Sequence, residues 1–419
     1  MFKFLHAADI HLDSPLKGLA RYEGAPVDQI RGATRKAFTN LVDLALAEAV
    51  QFVVIAGDIY DRDWTDYNTG LFFNSQMARL NAADIPVYLI SGNHDAANKM
   101  TKDLRPPANT RRLGHKQAET EPVERCNAAI HGQSFATEAV TDRLAAAYPR
   151  AEQGCFNIGL LHTSAAGHEG HEPYAPCSLD ELEDKGYHYW ALGHVHTRQE
   201  LSPKFQAVFA GNIQGRHIRE TGPKGCLIVS VDNSLKAAPK FHPLDVLRWE
   251  KCTIDAEEAD TPDDIVERFG RQLAVCVREA DDRLLAVRVI VRGASRCHDE
   301  LVRNADRWSN ELRSTAGDVA RDQVWIEQVK LETSPPPGRA PIADDALSEI
   351  IGLLAELRAD DRQLSELAGE LAALHSKLPV ELREGPDSLR LTDPAWLRQT
   401  LAQVEPMLLG RLQVSGGCP

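Results

Sequence analysis

The sequence has few cysteines, and they do not form closely spaced pairs. Its eight cysteines are scattered among 419 residues, from Cys126 to Cys418, and no CxxC motif occurs. Close pairs are typical of zinc–thiolate sites and of small disulfide-stabilised domains. The spacing therefore argues against both classes, and it is typical of free thiols in a reducing compartment.

Long apolar runs are also missing. No stretch approaches the roughly 20 apolar residues that a helix needs to cross a bilayer. The N-terminus has one lysine and a short apolar run that soon reaches Asp9, which is not the layout of a signal peptide. We therefore expect a soluble, cytoplasmic protein that does not associate with membranes.

An excess of positive charge is missing as well. The chain has 47 Lys and Arg against 61 Asp and Glu, for a formal net charge of −14. This charge argues against a general electrostatic attraction to nucleic acid or to an anionic membrane. Residues 99–116 and 198–224 are locally basic, however, and each stretch either binds a phosphate backbone or forms a solvated loop.

Short apolar runs in the first half predict buried strands. These runs are Phe2–Leu5, Phe52–Ala56, Val87–Ile90, Ile158–Leu161, Tyr189–Leu192 and Val208–Ala210. Helical patterns lie between the first three runs. Strands that alternate with helices predict a layered α/β fold.

The pattern changes near residue 245, where a compact β-α-β-α-β unit begins. After it, the segment SPPPGRAP contains three consecutive prolines and can continue neither a helix nor a strand. Leucines from Leu347 to Leu378 then recur at helical spacing and predict one long helix or two shorter ones. The predicted organisation is a main domain over 1–245, a small α/β domain over 246–333, a proline-rich linker over 334–343 and a helical region over 344–419.

Polar clusters follow five of the apolar runs. Their candidate metal-binding side chains are Asp9, His11, Asp58, Asn93, His162, His194 and His196. Functional sites of open α/β sheets form at the carboxyl ends of strands, so these clusters are expected to converge. Residues two apart share a face on an extended strand, which would align Asp9 with His11 and His194 with His196.

Imidazole and carboxylate groups are ligands that suit manganese, iron and zinc. Seven such ligands are too many for one ion, but they suit two ions that share a carboxylate. Two ions a few ångströms apart can hold the attacking and leaving oxygens of a phosphate ester. Any one cluster alone is more often a turn or a strand-end cap than a ligand group, but the five together predict a two-metal site.

The motif order D-x-H, G-D-x-x-D, G-N-H-D, an isolated H and G-H-x-H resembles that of the calcineurin-like metallophosphoesterases. The resemblance covers residues 1–245. It implies a sandwich of two mixed sheets flanked by helices, followed here by a small α/β cap domain and a helical C-terminal tail. The segments HAADIHLDSPLKGL, HEPYAPCSLDEL and GNIQGRHIRETGPKG are similar to bacterial DNA-repair exonucleases of the SbcD and YhaO type, most of all to the YhaO-like group.

The resemblance implies a two-metal DNA phosphodiesterase, an exonuclease in which a hydroxide held between the ions attacks phosphorus. It assigns one ion to Asp9, His11, Asp58 and His196, and the other to Asp58, Asn93, His162 and His194. Manganese is the expected metal, with iron and zinc as alternatives.

The same resemblance implies that His94 contacts the phosphate and protonates the leaving oxygen. Asp61 is expected to orient His94, although Asp95 is adjacent in sequence. Some nucleases of this class have a histidine at the position of Asp61, whereas GDIYDR is similar to the protein-phosphatase form, in which Arg62 binds phosphate. A phosphatase or a cyclic-nucleotide phosphodiesterase is therefore the alternative function.

Three residues of the second basic stretch, Arg216, His217 and Arg219, lie beside a Gly-Asn turn and are predicted to contact phosphate or DNA. His168 and His171 are surrounded by glycine and proline and are predicted to be loop residues. They are not assigned as metal ligands.

The resemblance also implies a protein partner, because related nucleases bind the coiled-coil base of an SMC- or ABC-type ATPase through C-terminal helices. The chain has no GxxxxGK[ST] loop of its own. Packing of these helices on their own domain is the alternative. A third hypothesis is a DNA-bound scaffold that is subordinate to the ATPase, and the sequence leaves open whether the chain forms a homodimer.

Overall fold

The computed structural model describes residues 1–14, 26–61, 67–97, 105–165, 174–202, 204–336, 345–378, 380–383 and 388–415. Arg62, His168, His171 and most of the predicted proline-rich linker lie outside the described residues. The chain divides into two compact units. The first contains residues 26–250 with the N-terminal strand and residues 283–285, and the second contains residues 251–282 and the chain from residue 286 onward.

The strands of the first unit form two sheets. They are β1 (Phe2–Ala7), β2 (Phe52–Ala56), β3 (Val87–Ile90), β4 (Thr110–Arg112), β5 (Glu119–Val123), β6 (Ala128–Gly132), β7 (Phe156–His162), β8 (Tyr189–Gly193), β9 (Gln199–Ser202), β10 (Gln206–Phe209), β11 (Gly225–Val231) and β12 (Ala237–Pro243). The helices are α1 (Val27–Ala47), α2 (Asn68–Ala82), α3 (Asn93–Ala97) and α4 (Leu179–Glu183).

Both sheets are mixed. The first has the order β12-β11-β1-β2-β3-β4, in which β1 to β4 are parallel and β11 and β12 are antiparallel to their neighbours. The second has the order β5-β6-β7-β8-β10-β9, with parallel strands at its centre and antiparallel strands at its edges. The parallel strands end on the same side of each sheet, and this places the loops after β1, β2 and β3 together.

An aromatic core lies between the two sheets. Phe4 of β1 stacks on Phe52 of β2, with ring centroids 5.0 Å apart, and meets Tyr189 of β8 edge-on at 5.3 Å. On the outer face of the first sheet, α1 buries Phe38 and Leu41 in a second apolar cluster. Apolar side chains therefore cover both faces of the central strands, as their continuous apolar sequences predict.

The second unit contains a three-stranded sheet in the order β13-β14-β15 and several helices. Its elements are β13 (Leu247–Asp255), α5 (Pro262–Glu279), β14 (Leu284–Ala294), α6 (His298–Arg303), α7 (Ala305–Ala320), β15 (Val324–Ser334), α8 (Asp345–Ala359), α9 (Asp361–Lys377), α10 (Val380–Arg383) and α11 (Pro394–Ser415). A capping box of Thr261 and Asp264 begins α5. The C-terminal helices pack through Leu364, Ala368 and Leu397.

The predicted fold class is confirmed: two mixed sheets flanked by helices, a third small sheet and C-terminal helices. The leucine series forms two helices, α8 and α9. The second helix of the predicted β-α-β-α-β unit is two helices in the structure, α6 and α7, because the chain is interrupted at Asn304. None of the described helices is long and apolar enough to span a membrane.

Candidate metal centre

The structure brings together all seven side chains that the sequence indicated as metal ligands. They lie on the loops after β1, β2, β3 and β8 and at the last residue of β7. In a first group, the Nε2 atoms of His11 and His196 are 3.2 Å apart. One ligand atom from each of Asp9, His11 and His196 lies within 4.8 Å of the others. This is a suitable distance for a single cation among the three.

A second group lies beside the first. Nε2 of His162 is 3.0 Å from Oδ1 of Asn93 and 3.4 Å from Oδ2 of Asp58. Ligand atoms of Asp9, Asp58 and His162 also lie within 4.8 Å of one another. The ring of His194 lies against that of His162, with centroids 5.2 Å apart. The two groups therefore share Asp9, and Asp58 also belongs to a third group with His11 and His94.

The donor atoms fit a cation. Nδ1 of His162 is 2.9 Å from the carbonyl of Ala56, which can only accept a hydrogen bond, so Nδ1 carries the proton. In the neutral ring, Nε2 would then direct a lone pair at the oxygens of Asp58 and Asn93. Burial lowers the pKa of His162, but the carboxylates of Asp58 and Asp9 outweigh it and raise the pKa to about 9. The two carboxylates thus favour positive charge beside this nitrogen, and a divalent ion would supply such charge.

His94 and Asp61 form a pair at the edge of these groups. Nδ1 of His94 lies 2.7 Å from Oδ1 of Asp61, and the Ser14 hydroxyl donates a hydrogen bond of 2.5 Å to Oδ2. Partial burial opposes protonation, but the bond to Asp61 and the charge of Asp58 raise the pKa of His94 above its ordinary value. His94 is therefore held in one orientation and keeps its proton readily.

Asp95 has a different role from Asp61. Its buried carboxylate accepts hydrogen bonds from the backbone N–H groups of Ile59, Tyr60 and Gly92, at 3.2, 2.9 and 3.0 Å. These amides belong to the loops after β2 and β3. Asp95 consequently fastens together the two loops that present Asp58 and His94, a contact that sequence reasoning missed.

Of the predicted phosphate contacts, Arg216 lies in the site and the other two lie on its surface. The Arg216 side chain is 13% exposed; its Nη1 is 3.6 Å from Asp61 and its Nη2 is 2.9 Å from Glu220. His217 is half-exposed and Arg219 is exposed. Glu220, which sequence reasoning missed, also accepts a hydrogen bond of 2.7 Å from His196. Burial opposes ionisation of Glu220, but Arg216 and His196 keep its pKa well below the ordinary range.

The backbone at the site departs from the extended conformation assumed for the two ligand pairs. Strand β1 ends at Ala7 and β8 ends at Gly193, so neither pair lies on a strand. The φ angles of Asp9, His11 and His194 are 50°, 47° and 99°. The argument that residues two apart share a strand face was therefore wrong. These loops bring the side chains together by left-handed turns that sequence periodicity does not indicate.

Two segments of the chain match known protein families. Residues 2–198 match the family described as calcineurin-like phosphoesterase, and residues 249–334 match the middle domain of the metallophosphoesterase YhaO. The chain is 38% identical over 264 residues to the uncharacterized metallophosphoesterase YhaO of Bacillus subtilis strain 168, which is 61% of this chain and 64% of YhaO.

Two more distant relatives are named as nuclease or repair proteins. The SbcD component of the nuclease SbcCD from Staphylococcus epidermidis is 24% identical over 293 residues, 64% of this chain and 75% of that protein. The DNA double-strand break repair protein Mre11 from Sulfurisphaera tokodaii is 26% identical over 212 residues, 47% of this chain and 49% of that protein. The chain thus spans less than two thirds of YhaO and about half of this Mre11.

The matched family covers the segment that carries the motifs and the converging side chains, and the fold is the two-sheet sandwich that the motifs implied. Members of this family depend on divalent metals, in agreement with the groups of potential ligands. Residues 2–198 therefore belong to the calcineurin-like phosphoesterase family.

Proposed function

We propose that the protein is a two-metal DNA phosphodiesterase that acts as an exonuclease. The observation that carries the proposal is the pair of adjoining ligand groups, one around His11 and His196 and the other around His162 and Asn93, with Asp9 and Asp58 among them. A single-metal hydrolase would need only one of these groups.

The ligands divide between two cation positions. Asp9, His11, Asp58 and His196 would hold one ion, and Asp58, Asn93, His162 and His194 would hold the other. When bound, two divalent ions lower the pKa of a bound water and neutralise charge on a phosphate ester. Imidazole and carboxylate ligands favour manganese, with iron or zinc as alternatives.

Two side chains beside the ligands would act on the substrate directly. His94, oriented by Asp61, would donate a ring proton to the leaving oxygen as the phosphorus–oxygen bond breaks. Since Nδ1 faces Asp61 at 2.7 Å, the proton on Nε2 is the one available to the substrate. Arg216 would contact a non-bridging phosphate oxygen, and guanidinium groups suit this contact because their donors match phosphate geometry.

DNA as the substrate is supported by the names of the relatives and by local charge. The named functions of the SbcCD nuclease component and Mre11 concern nuclease activity and DNA break repair. The exposed Arg219 and half-exposed His217 follow Arg216 on the same loop, at the rim of the site. In residues 105–116, the part of the other basic stretch that the structure describes, Arg111 is paired with Glu121 at 2.8 Å, whereas Arg219 is exposed at the rim of the site. We therefore favour the loop around Arg219 for contact with DNA.

A phosphatase or cyclic-nucleotide phosphodiesterase is the second candidate. The observation that favours it is the Asp61–His94 pair, because some nucleases of this class have histidine at the position of Asp61. Metal-loaded protein should be incubated with end-labelled single- and double-stranded DNA, with bis(p-nitrophenyl) phosphate and with p-nitrophenyl phosphate. We expect release of nucleotides from DNA ends. Hydrolysis of the monoester without any DNA cleavage would replace the nuclease proposal with a phosphatase.

The C-terminal helices would bind a coiled-coil ATPase of the ABC type. Leu353 of α8 and Leu374 of α9 are 61% and 53% exposed and would offer apolar contacts to a helix-binding partner. Such a partner would supply the ATP-driven opening of DNA, for which the chain has no phosphate-binding loop of its own.

A further inference from the structure

We propose that Glu220 is a positioning residue that fixes the metal-binding nitrogen of His196 and holds Arg216 at the phosphate. The inference rests on the two-metal function proposed above and extends it to a residue outside the ligand set. Glu220 is only 5% exposed, although it lies on a loop directly after the exposed Arg219. A carboxylate buried this deeply requires hydrogen-bond donors around it.

Both oxygens of Glu220 receive such donors. Oε1 lies 2.7 Å from Nδ1 of His196 and 2.9 Å from Nη2 of Arg216. Oε2 accepts from the Asn212 amide and from the backbone N–H of Arg216, each at 2.8 Å. The carboxylate therefore links two residues of the loop after β10, Asn212 and Arg216, to one metal ligand from the loop after β8.

The contact with His196 determines which ring nitrogen is available to a metal. An ionised carboxylate can only accept a hydrogen bond, so Nδ1 of His196 must carry the proton that it shares with Glu220. The guanidinium of Arg216, 3.1 Å from the same nitrogen, cannot accept either, and both groups donate to Oε1. Nε2 is then left with its lone pair directed at Nε2 of His11, 3.2 Å away, where one cation would satisfy both rings.

The contact with Arg216 determines where the guanidinium points. Glu220 holds Nη2, and Nη1 lies 3.6 Å from Asp61, the carboxylate that orients His94. Without Glu220, we expect the guanidinium to turn toward Asp61 and compete with His94 for it. A single carboxylate therefore keeps a metal ligand and a phosphate contact in place and leaves Asp61 to His94.

The competing explanation is that Glu220 only neutralises a buried arginine. Glu327 provides a matched control for that role. It is 6% exposed and forms a two-point ion pair with Arg288, with distances of 2.8 and 2.6 Å, within the small sheet of the second unit. Glu220→Gln and Glu327→Gln each remove one buried charge from an arginine and keep the size of the side chain.

Binding of Mn²⁺ to the full chain should be measured by calorimetric titration for wild type, Glu220→Gln, Glu220→Asp and Glu327→Gln, with urea unfolding in EDTA alongside. Outer carboxylates that orient metal-binding histidines contribute about 10–100-fold to metal affinity. We expect Glu220→Gln to weaken one of two Mn²⁺ binding steps by about this factor. Glu327→Gln should lower stability without changing either step.

Two results would overturn the inference, and they differ from each other. If wild type binds two Mn²⁺ and Glu220→Gln binds both with unchanged affinity, the role of Glu220 is purely structural and the two-metal function stands. If wild type binds fewer than two Mn²⁺, the two-metal function itself fails. Should Glu220→Gln not fold, Glu220→Asp retains the charge on a shorter side chain, and unchanged Mn²⁺ binding in that variant would equally contradict the inference.

Discussion

The buried His6 predicts a specific loss of stability in mild acid. Its side chain lies in β1, fully buried, with Nδ1 2.9 Å from the hydroxyl of Tyr189. Burial lowers the pKa of His6 from 6.5 to about 3. As pH falls below 6.5, the unfolded chain takes up a proton on this ring and the native chain does not. The native state is therefore favoured above pH 6.5 and progressively loses that advantage toward pH 3.

The size of the effect follows from the two pKa values. Each pH unit between them changes the free energy of unfolding by about 1.4 kcal/mol. Between neutral pH and about pH 5, His6 should therefore cost about 2 kcal/mol of stability. His6→Gln removes the titrating group while its amide can still pair with the Tyr189 hydroxyl. The free energy of unfolding of both proteins should be measured by urea unfolding in EDTA at about pH 7.5 and pH 5. We expect wild type to lose about 2 kcal/mol more stability than His6→Gln between these two pH values.

A control separates His6 from the other histidines. His115 is exposed, and His115→Gln controls for the replacement of a histidine by glutamine at a position outside the core. If the free energies of unfolding of wild type and His6→Gln differ by the same amount at both pH values, the reasoning is refuted. Such a result would mean that the ring is protonated in the folded chain or that water reaches it.

Further predictions concern the site, the core and the C-terminal helices. His94→Ala should abolish most diester hydrolysis with metal still present by elemental analysis, whereas Asp58→Ala should lose metal too; loss of all metal from the His94 variant would contradict these roles. Gly159→Ala should lower the unfolding free energy by about 1–3 kcal/mol, because its Cβ would lie 2.2 Å from the Trp190 ring; unchanged urea unfolding would show that the ring moves freely. Truncation after Thr333 should preserve hydrolysis of a small diester and abolish co-purification with a coiled-coil ATPase, while a truncated chain that unfolds would indicate that these helices stabilise the rest.

Much of the fold could be predicted because buried parallel strands have a distinctive sequence. The run FVVIA is buried at every position and matches β2 at both ends. Strands with mixed polarity were missed, such as β12, in which Ala237 is buried and the other residues are partly buried or exposed. The pairing of β11 with β1 joins residues about two hundred positions apart, and such long-range register is set by packing of the whole sandwich.

The candidate site was predictable to the extent that its side chains are chemically unusual. Histidine and aspartate residues after apolar runs indicated the metal ligands. The order of the motifs indicated that these ligands belong to one site. Glu220 and the role of Asp95 were missed because a single acidic residue is ordinary in sequence, and only the fold buries it among donors. The assignment of each ligand to a metal and the domain boundaries remain predictions.

The conformation of the metal-binding loops explains why residue spacing alone misjudged them. Asp9, His11 and Asp58 have φ angles of 50°, 47° and 49°, a region that costs a non-glycine residue about 1–3 kcal/mol. The N–H groups of Asp9 and His11 donate to the carbonyls of Gly57 and Asp58, at 3.1 and 3.0 Å. Neither loop can relax without breaking its bonds to the other. Glycine would adopt these angles at lower cost but would supply no ligand, so the strained aspartates and histidine indicate positions where the side chain matters more than the backbone preference.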